Sequence, residues 1–425
     1  MNDTLYTPST SSDVTKNCEQ ENARHDGRKL KAVVSHKPLP HPSSVSDPLE
    51  LVHLHMATHG LTASWNKIFD QSGKQISYAE HEDDMVIWAV KNGIQKKLYG
   101  QRELGAAYRR IQREQYRQLV YSVAINLSEA PDNDIGSWDF SRMADFLGWS
   151  EVEALCVIWW MKDRKRSLLE LARDRLPEIK QVPMPVLYSR KQKTGKSFFI
   201  ERLCEPFDEL CEVKNISEIE DKFNFLQWGK LLIANFDEMA GLNKTDMNLL
   251  KQWAFQKKFT KRKMQSEQQH HIYKTAAGIG SSNDPIEEIV WDSTGTRRFC
   301  QINVITDGRY IKAAQEIDFI NVWRSIDHTT MLSDAEQDLI YQEQDKQRRK
   351  DKVEIWLEES GLDFLTGKKD AVKGSDLYAN FTSWCWKNGE NVYTNALFGR
   401  RVKTIYDDQI EFYRSNGARY KLKKQ

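Results

Sequence analysis

The sequence predicts an α/β protein with a phosphate-loop core, a parallel sheet flanked by helices. A mainly helical region precedes the core and a small helix-helix-hairpin module follows it. Three observations predict this. The apolar run Met184-Pro185-Val186-Leu187 feeds a loop ending Thr194-Gly195-Lys196-Ser197, then an apolar-rich helical stretch. A second run, Lys230 to Phe236, stops on Asp237-Glu238, and a third, Thr275 to Gly280, stops on Ser281-Ser282-Asn283-Asp284. Short apolar runs alternating with helical stretches are the pattern of a parallel sheet.

Length and composition set the bounds. At 425 residues, with 40% hydrophobic and 29% charged side chains, the chain is long enough for two or three domains with real cores. The formal net charge is +1, so a polyanion site has to come from local clustering of charge. The six cysteines are scattered without a C-x-x-C pair, the usage of reduced thiols in a cytoplasmic protein. The longest apolar run, Leu155 to Met161, is far short of the ~20 residues that cross a bilayer, and no membrane partner is expected.

In chain order, residues 1–48 read as a flexible tail rich in Ser, Thr, Asn, Pro and charge. Residues 49–135 read as an N-terminal α+β or helical domain of unassigned role. Its cluster Glu80, His81, Glu82, Asp83 and Asp84 is either a solvated helix start or, less simply, part of a metal site. Residues 136–182 read as a helical region leading into the core. Its basic stretch Met161-Lys162-Asp163-Arg164-Lys165-Arg166 is either a charged helix face or a DNA contact.

Residues 183–330 carry the chemistry. A glycine-bearing turn between strand and helix turns successive N–H groups and the positive end of a helix dipole toward one anion. Thr194, Gly195, Lys196 and Ser197 are therefore the candidate triphosphate-binding residues. Lys196 reaches the terminal phosphates, and the Ser197 hydroxyl helps hold Mg²⁺. The first glycine of G-x-x-x-x-G-K-[ST] would stand at 190, where this chain has Arg190, and Lys193 fills another position where glycine is common. The alternative is an ordinary basic turn. Ser217 and Glu220 form a capping-box pattern that predicts a helix burying Ile219, Phe223 and Leu226. Downstream, Asp237 suits Mg²⁺ and Glu238 suits polarising a water; Asn283 suits the terminal phosphate or that water. Arg297 and Arg298, in Gly295-Thr296-Arg297-Arg298-Phe299, suit neutralisation of transition-state charge across a subunit boundary.

Between the second and third runs, residues 257–274 hold six Lys or Arg around a polar turn, the pattern of a basic hairpin. Its candidate phosphate-backbone contacts are Lys258, Lys261, Arg262, Lys263, His270, His271 and Lys274; the alternative is a merely solvated hairpin. Residues 331–370 read as linker helices. Residues 371–425 predict a winged-helix-like DNA-binding domain. Ser375 would cap a helix burying Leu377, Phe381 and Trp384, and Thr394 would cap one burying Phe398, Val402 and Ile405. A hairpin then runs through Asn416-Gly417. Arg400, Arg401, Lys403, Arg419 and Lys421 are its candidate DNA contacts, the alternative being a small packing cap.

Taken together, Met184-Pro185-Val186-Leu187, the Gly-Lys-Ser turn, Phe236-Asp237-Glu238-Met239, Lys251, Ser282-Asn283-Asp284 and Thr294-Gly295-Thr296-Arg297-Arg298-Phe299 resemble the virulence-associated protein E family. These are P-loop ATPases of phages, satellites and genomic islands, similar to superfamily-3 helicases. The resemblance covers about residues 150 to 305. It implies an AAA+ ATPase with ATP and Mg²⁺ as cofactors that assembles into a ring, a hexamer, and separates or translocates on origin or single-stranded DNA. Replication proteins of the host or of the element are further partners to expect. It also implies Asp237 and Glu238 as the metal and water pair, Asn283 as sensor, and Arg297 or Arg298 as the arginine finger. Longer relatives carry an N-terminal primase, for which no paired-carboxylate site is evident here. Two rivals to a replication helicase remain: a DNA-binding initiator or regulator whose ATPase has decayed, and a small-molecule kinase.

Overall fold

The computed structural model describes residues 45–65, 67–134, 136–178, 181–221, 224–262, 269–290, 296–346, 350–360, 372–405, 410–414 and 418–422. They fall into two compact units divided after Arg117. In the first, helix α1 (Pro48–His59) starts on Asp47, whose carboxylate accepts the Leu49 and Glu50 amides at 2.7 and 3.0 Å. It stops at Gly60, which takes the positive φ of 61° that a side chain resists. Strands β1 (Thr62–Ala63), β2 (Ile68–Phe69) and β3 (Gln75–Ile76) form a small antiparallel sheet. Helices α2 (Tyr78–Lys91) and α3 (Gln101–Ser128) follow; the division between units falls inside α3. Leu51, Val52, Ile68, Met85, Leu104 and Ile111 make the core.

The acidic cluster at 80–84 is a helix start: Ser77 and Glu80 cap α2 reciprocally. His81, read as part of that polar start, instead turns inward. No group of His, Cys, Asp or Glu suited to a metal ion occurs among the described residues.

After the remainder of α3, the second unit continues with α4 (Phe140–Leu147), which Gly148 ends at φ 70°, and α5 (Glu151–Ala172), capped by Ser150 and Glu153. Its centre is built from β4 (Met184–Tyr188), β5 (Cys211–Val213), β6 (Ile233–Phe236), β9 (Ala277–Ser282) and β10 (Phe299–Asn303). They form a five-stranded sheet in the order β10-β4-β9-β6-β5, every pairing parallel. Their runs are continuous rather than alternating, because both faces are covered. Central β9 uses glycines where space fails: a Cβ on Gly280 would lie 2.7 Å from Met239 Sδ and 2.8 Å from the Phe236 carbonyl oxygen.

Helices α6 (Lys196–Cys204) and α7 (Lys244–Phe255) follow β4 and β6. The hairpin predicted between β6 and β9 is an antiparallel pair, β7 (Lys258–Arg262) with β8 (Gln269–Tyr273); its tip, with Lys263, lies outside the described residues. A four-residue helix α8 (Ile286–Ile289) precedes β10, and α9 (Arg309–Glu316), α10 (Phe319–Ser325) and α11 (Asp334–Lys346) follow it.

The chain then forms α12 (Lys352–Ser360), β11 (Val372–Lys373), α13 (Gly374–Lys387), α14 (Asn395–Ile405) and the antiparallel pair β12 (Ile410–Arg414) and β13 (Ala418–Leu422), with β11 on the far side of β13. Trp356, Phe381, Phe398 and Val402 fill the space between helices and sheet. The turn Asn416-Gly417 lies outside the described residues.

Three expectations need correcting. The capping box before the second strand is Asn215 with Glu218, not Ser217 with Glu220, and it opens a short 3₁₀ turn, Ile216–Ile219. Ile216 and Ile219 are both buried, and the i, i+3 spacing is what a 3₁₀ turn aligns. Phe223 lies outside the described residues. Ser375 does not cap α13: the helix begins at Gly374 straight from β11, and the Ser375 hydroxyl turns to Asp376. Within Met161–Arg166, Asp163, Arg164 and Lys165 belong neither to a solvated face nor to a DNA contact, because they are buried, while Lys162 and Arg166 are half-buried.

Among the described residues, no helix is long and apolar enough to cross a membrane.

Candidate functional site

A parallel sheet delivers strand ends of one polarity to one edge, and a crevice outside its carboxyl ends is where such folds bind ligands. Three adjacent strands, β4, β9 and β6, deliver the phosphate-type loop, the Ser-Asn-Asp turn and the Asp-Glu pair to that edge.

The loop is held open by backbone geometry. Lys193 has φ 59° and Gly195 φ 91°, so left-handed residues interrupt the loop just before α6. Alternation of this kind turns amides into an anion-binding concavity. The expectation that Lys193 occupies a glycine-type position is met by its positive φ; Arg190, at the other departure, has none. Gly195 cannot carry a side chain, because a Cβ would stand 2.9 Å from the backbone nitrogen of Ile311 on α9. Thr194 is buried.

Lys196 starts α6 and is buried. Its ammonium donates to the Ser189 carbonyl at 3.3 Å and to Asn283 Oδ1 at 2.8 Å. Burial lowers its pKa, opposed by the negative charges of Glu238 and Asp237. Asn283 Nδ2 in turn donates to both Glu238 oxygens, at 3.2 and 3.3 Å. The amide therefore accepts from the lysine and donates to the glutamate, the only orientation that satisfies both ends.

Asp237 Oδ1 gathers three donors: Ser197 Oγ at 2.6 Å, Ser281 Oγ at 2.8 Å and the Glu238 amide at 3.1 Å. Glu238 itself sits at φ 56°, a left-handed conformation that costs a non-glycine residue ~1–3 kcal/mol and that clusters at functional sites. The Met239 amide, on the Ser281 carbonyl at 2.7 Å, fixes the chain just beyond it. Asp237 and Glu238 remain exposed to solvent.

Lys196, Ser197, Asp237, Glu238 and Asn283 thus meet in one hydrogen-bonded set. Arg297 and Arg298 do not join it. They precede β10, where Phe299 pairs with Met184, while the loop begins beyond Tyr188. That places them more than four residues, over roughly 13 Å, toward the other end of the sheet. Arg297 is exposed, and the Arg298 guanidinium lies 5.1 Å over the Phe255 ring.

The other candidates separate in the same way. Lys258 and His271 are exposed on the hairpin, with Lys258 Nζ 5.7 Å over the Tyr273 ring and the His271 ring hydrogen-bonded to Thr260. Lys261 pairs with His270 and Arg262 with Gln269 in the strand register. Lys274 is a correction: at 2% exposure it cannot touch DNA. Its ammonium donates to the Trp253 and Ala254 carbonyls at 2.5 and 2.9 Å, and burial together with the like charge of Arg164 pushes its pKa well down. In the last module Arg400 and Lys403 are exposed, while Arg401 is half-buried beside Asp351 at 3.4 Å. Arg419 is half-buried on β13; Lys421 lies on the same strand.

Sequence reasoning missed Ser281, Ser189 and the pair Arg190–Glu288, 3.0 Å apart, in which the Arg190 side chain also meets the Tyr188 hydroxyl at 3.1 Å. Ser281 was within reach of alternation: it stands two residues before Asn283, so both face one side at the strand end. Glu288 was not, since nothing in α8 marks it as the partner of a loop 98 residues earlier.

Residues 165–355 match the model of the virulence-associated protein E-like domain, which bears out the resemblance seen in the motifs. No curated protein matches. Among solved structures, one similar to this chain is the apo NrS-1 C terminal region, with 13% identity and a TM-score of 0.43 over 89% of this chain and 99% of that one. Another is SCCmec type IV Cch, described as an active helicase, with 14% identity and a TM-score of 0.29 over 80% of this chain and 70% of that one.

Proposed function

We propose that the chain is an ATP-hydrolysing replication protein of a phage, satellite or other mobile element, a helicase or initiator that acts on DNA as a ring. One observation carries this reading: Lys196, Asn283 and Glu238 form a continuous hydrogen-bonded chain beside the Ser197–Asp237 pair, at the carboxyl edge of the sheet. The donor set fits a magnesium triphosphate. The Ser197 hydroxyl and Asp237 carboxylate are adjacent hard oxygens suited to Mg²⁺, and the left-handed loop positions with Lys196 suit phosphate.

Bound there, Mg²⁺ would neutralise charge developing on the phosphate oxygens. The chain's own groups supply the rest. Lys196 places a positive charge at the terminal phosphates, within a buried setting that strengthens it. Asn283 orients the Glu238 carboxylate, and Glu238 accepts the proton of the attacking water. Because Arg297 and Arg298 lie toward the opposite end of their own sheet, they serve the site of a neighbouring copy, which makes self-association, in a hexameric ring, part of the proposal.

The hairpin residues Lys258, Lys261, Arg262, Lys263, His270 and His271 grip the DNA backbone. The C-terminal module acts as a winged helix, presenting Arg400, Arg401, Lys403, Arg419 and Lys421 to origin DNA, while replication proteins of the host or element complete the assembly. The strain kept at Glu238 supports a working site over a decayed one, since a non-hydrolysing scaffold would have no use for it. The proposal is tested by ATP hydrolysis with and without single-stranded DNA. DNA-stimulated turnover abolished in Lys196→Ala supports it; DNA binding without turnover in the unaltered chain would favour the initiator with an inactive site.

A further inference from the structure

Arg190 stands where a phosphate loop ordinarily has its first glycine, and its side chain rests on an acid. Its Nε donates to the Tyr188 hydroxyl at 3.1 Å and its Nη2 to Glu288 Oε1 at 3.0 Å. Both partners are held by the frame. Tyr188 closes β4, in register with Ser282 on β9 and Asn303 on β10. Glu288 rides on α8, which is seated by the buried Ile286 and Ile289 and by the Ile286 amide, donating to Gln301 Oε1 at 2.8 Å. The ion pair itself lies in water, with 73% of the Arg190 side chain and 52% of the Glu288 side chain exposed. A pair so exposed contributes little and gives way readily to a better anion.

Two contacts of Lys196 place this pair beside the proposed terminal phosphate. The Lys196 ammonium donates to the Ser189 carbonyl at 3.3 Å and to Asn283 Oδ1 at 2.8 Å. Arg190 follows Ser189 directly, so its Cα lies within roughly 6 Å of the ammonium. An extended arginine side chain spans that distance. Glu288 hangs from the other contact, on the short helix after the Ser-Asn-Asp turn that carries Asn283. Asn283 also donates to Glu238, the proposed proton acceptor, which puts the end of the triphosphate, and not its inner phosphates, on this side.

We propose that Arg190 is a specificity-determining residue that binds the terminal phosphate of a nucleoside triphosphate, and that Glu288 is its resting partner, given up when the triphosphate enters. The inference rests on the reading of the carboxyl edge as a triphosphate site. A phosphate carries more charge than a carboxylate and more acceptor oxygens, and a planar guanidinium meets it through two parallel N–H groups. It therefore takes the arginine from an exposed glutamate. A diphosphate has no group at that end and leaves Arg190 on Glu288. Lys196 meets the last two phosphates alike and discriminates less between the two nucleotides. In this chain the arginine at 190 supplies a charge that a glycine there cannot.

The test uses the full chain with Mg²⁺ and measures its affinity for a non-hydrolysable ATP analogue and for ADP. Arg190→Gln should weaken the analogue by about 10- to 100-fold, as loss of a hydrogen bond between charged groups does, and ADP by less than about twofold. Arg190→Lys should recover part of the loss, because a point charge replaces the fork. Glu288→Gln should do the opposite, tightening the analogue by about two- to fivefold and leaving ADP as it was, since the resting partner no longer competes. Both side chains are exposed, so the thermal midpoint should stay unchanged in each variant. Equal weakening of both nucleotides in R190Q, no weakening of either, or an E288Q chain that binds the analogue no tighter than the unaltered one overturns the inference and leaves the triphosphate site standing. An unaltered chain that binds neither nucleotide overturns the proposed function and this inference with it.

Discussion

The two ends of the five-stranded sheet both hold charged side chains and treat them differently. At the carboxyl end Lys196, Ser197, Asp237, Glu238 and Asn283 bond mostly to one another, with both acids exposed. Toward the amino end and beneath it, Arg164, Lys165 and Lys274 are buried, and their main partners are backbone carbonyls. Arg164 takes those of Leu232 and Thr275, Lys274 those of α7, and Lys165 those of Trp323, Arg324 and Ile326 at 2.9 to 3.0 Å. A carbonyl at the end of a helix or strand cannot leave to make room for a ligand, whereas a side-chain partner can turn aside. Partner type and burial, not residue type, separate the groups proposed to do chemistry from those that hold the frame.

The sharpest way to test that division is to remove one member from each end. Glu238→Gln keeps the shape and one of the two Asn283 contacts but removes the proposed proton acceptor. Turnover should fall by about 10²–10⁴-fold, with the urea midpoint unchanged, measured by phosphate release and by denaturation of the same sample. Arg164→Met should do the reverse. It leaves the buried Asp163 carboxylate to Arg166 alone and two buried carbonyls unpaired, at a cost of about 3–5 kcal/mol. Comparable losses of stability from both variants would erase the division.

Between the ends, Gly280 tests how tightly they are joined. An added methyl would press on the Phe236 carbonyl and Met239, so Gly280→Ala should cost about 1–3 kcal/mol. It should also slow turnover, because Phe236 and Met239 flank the two acids. Gly278→Ala, whose methyl would first meet the flexible Met184 side chain, should cost less.

The same contrast explains what was legible in the sequence. The carboxyl end announces itself locally: a Gly-Lys-Ser turn after an apolar run, and acids or an asparagine where such runs stop. The hairpin was legible too, since strand-like runs around a basic polar turn need no distant partner. The amino end was not. Arg164 and Lys274 read as surface cations because the carbonyls that justify burying them lie 68 and 111 residues away from one and 21 and 20 from the other, and no pattern within α5 or β8 points to them. The Asn215 cap was missed for a related reason, as the burial of Ile216 and Ile219 chose a 3₁₀ turn over the longer helix that Ser217 and Glu220 suggest.

A third polar cluster, in the first unit, offers a milder test. His55 and His81 are buried side by side, Nδ1 to Nε2 at 3.1 Å, and His81 also meets the Tyr108 hydroxyl at 2.6 Å. Burial first, then the neighbouring histidines, lowers His55 to about 3. Burial also lowers His81 to about 4, with His59 adding to it and Asp84 opposing. The folded state therefore binds fewer protons than the unfolded chain, whose histidines titrate near 6.5, so stability is present above that value and is lost as pH falls from it toward 4. By pH 5.5 the loss should be roughly 1 kcal/mol per histidine, seen as faster amide exchange in α1 and α2 while the sheet of the second unit stays protected. Exchange independent of pH over that window, once corrected for intrinsic rates, would place these rings in contact with water.

The smallest effect asks whether strain at the carboxyl end is kept for use or merely tolerated. Lys193 and Glu238 are both left-handed without being glycine, but only Glu238 has its side chain in the hydrogen-bonded set. Glycine at 193 relieves a side-chain clash worth about 1 kcal/mol and gives back part of it through the greater freedom of the unfolded chain. Lys193→Gly should therefore raise the unfolding free energy by a few tenths to about 1 kcal/mol and leave turnover near normal. Glu238→Gly should gain a similar amount of stability and lose turnover. If Lys193→Gly instead costs nucleotide affinity while stabilising the fold, the lysine is a phosphate contact for which the left-handed turn is kept, and the functional part of the left-handed stretch begins at 193 and not at 195.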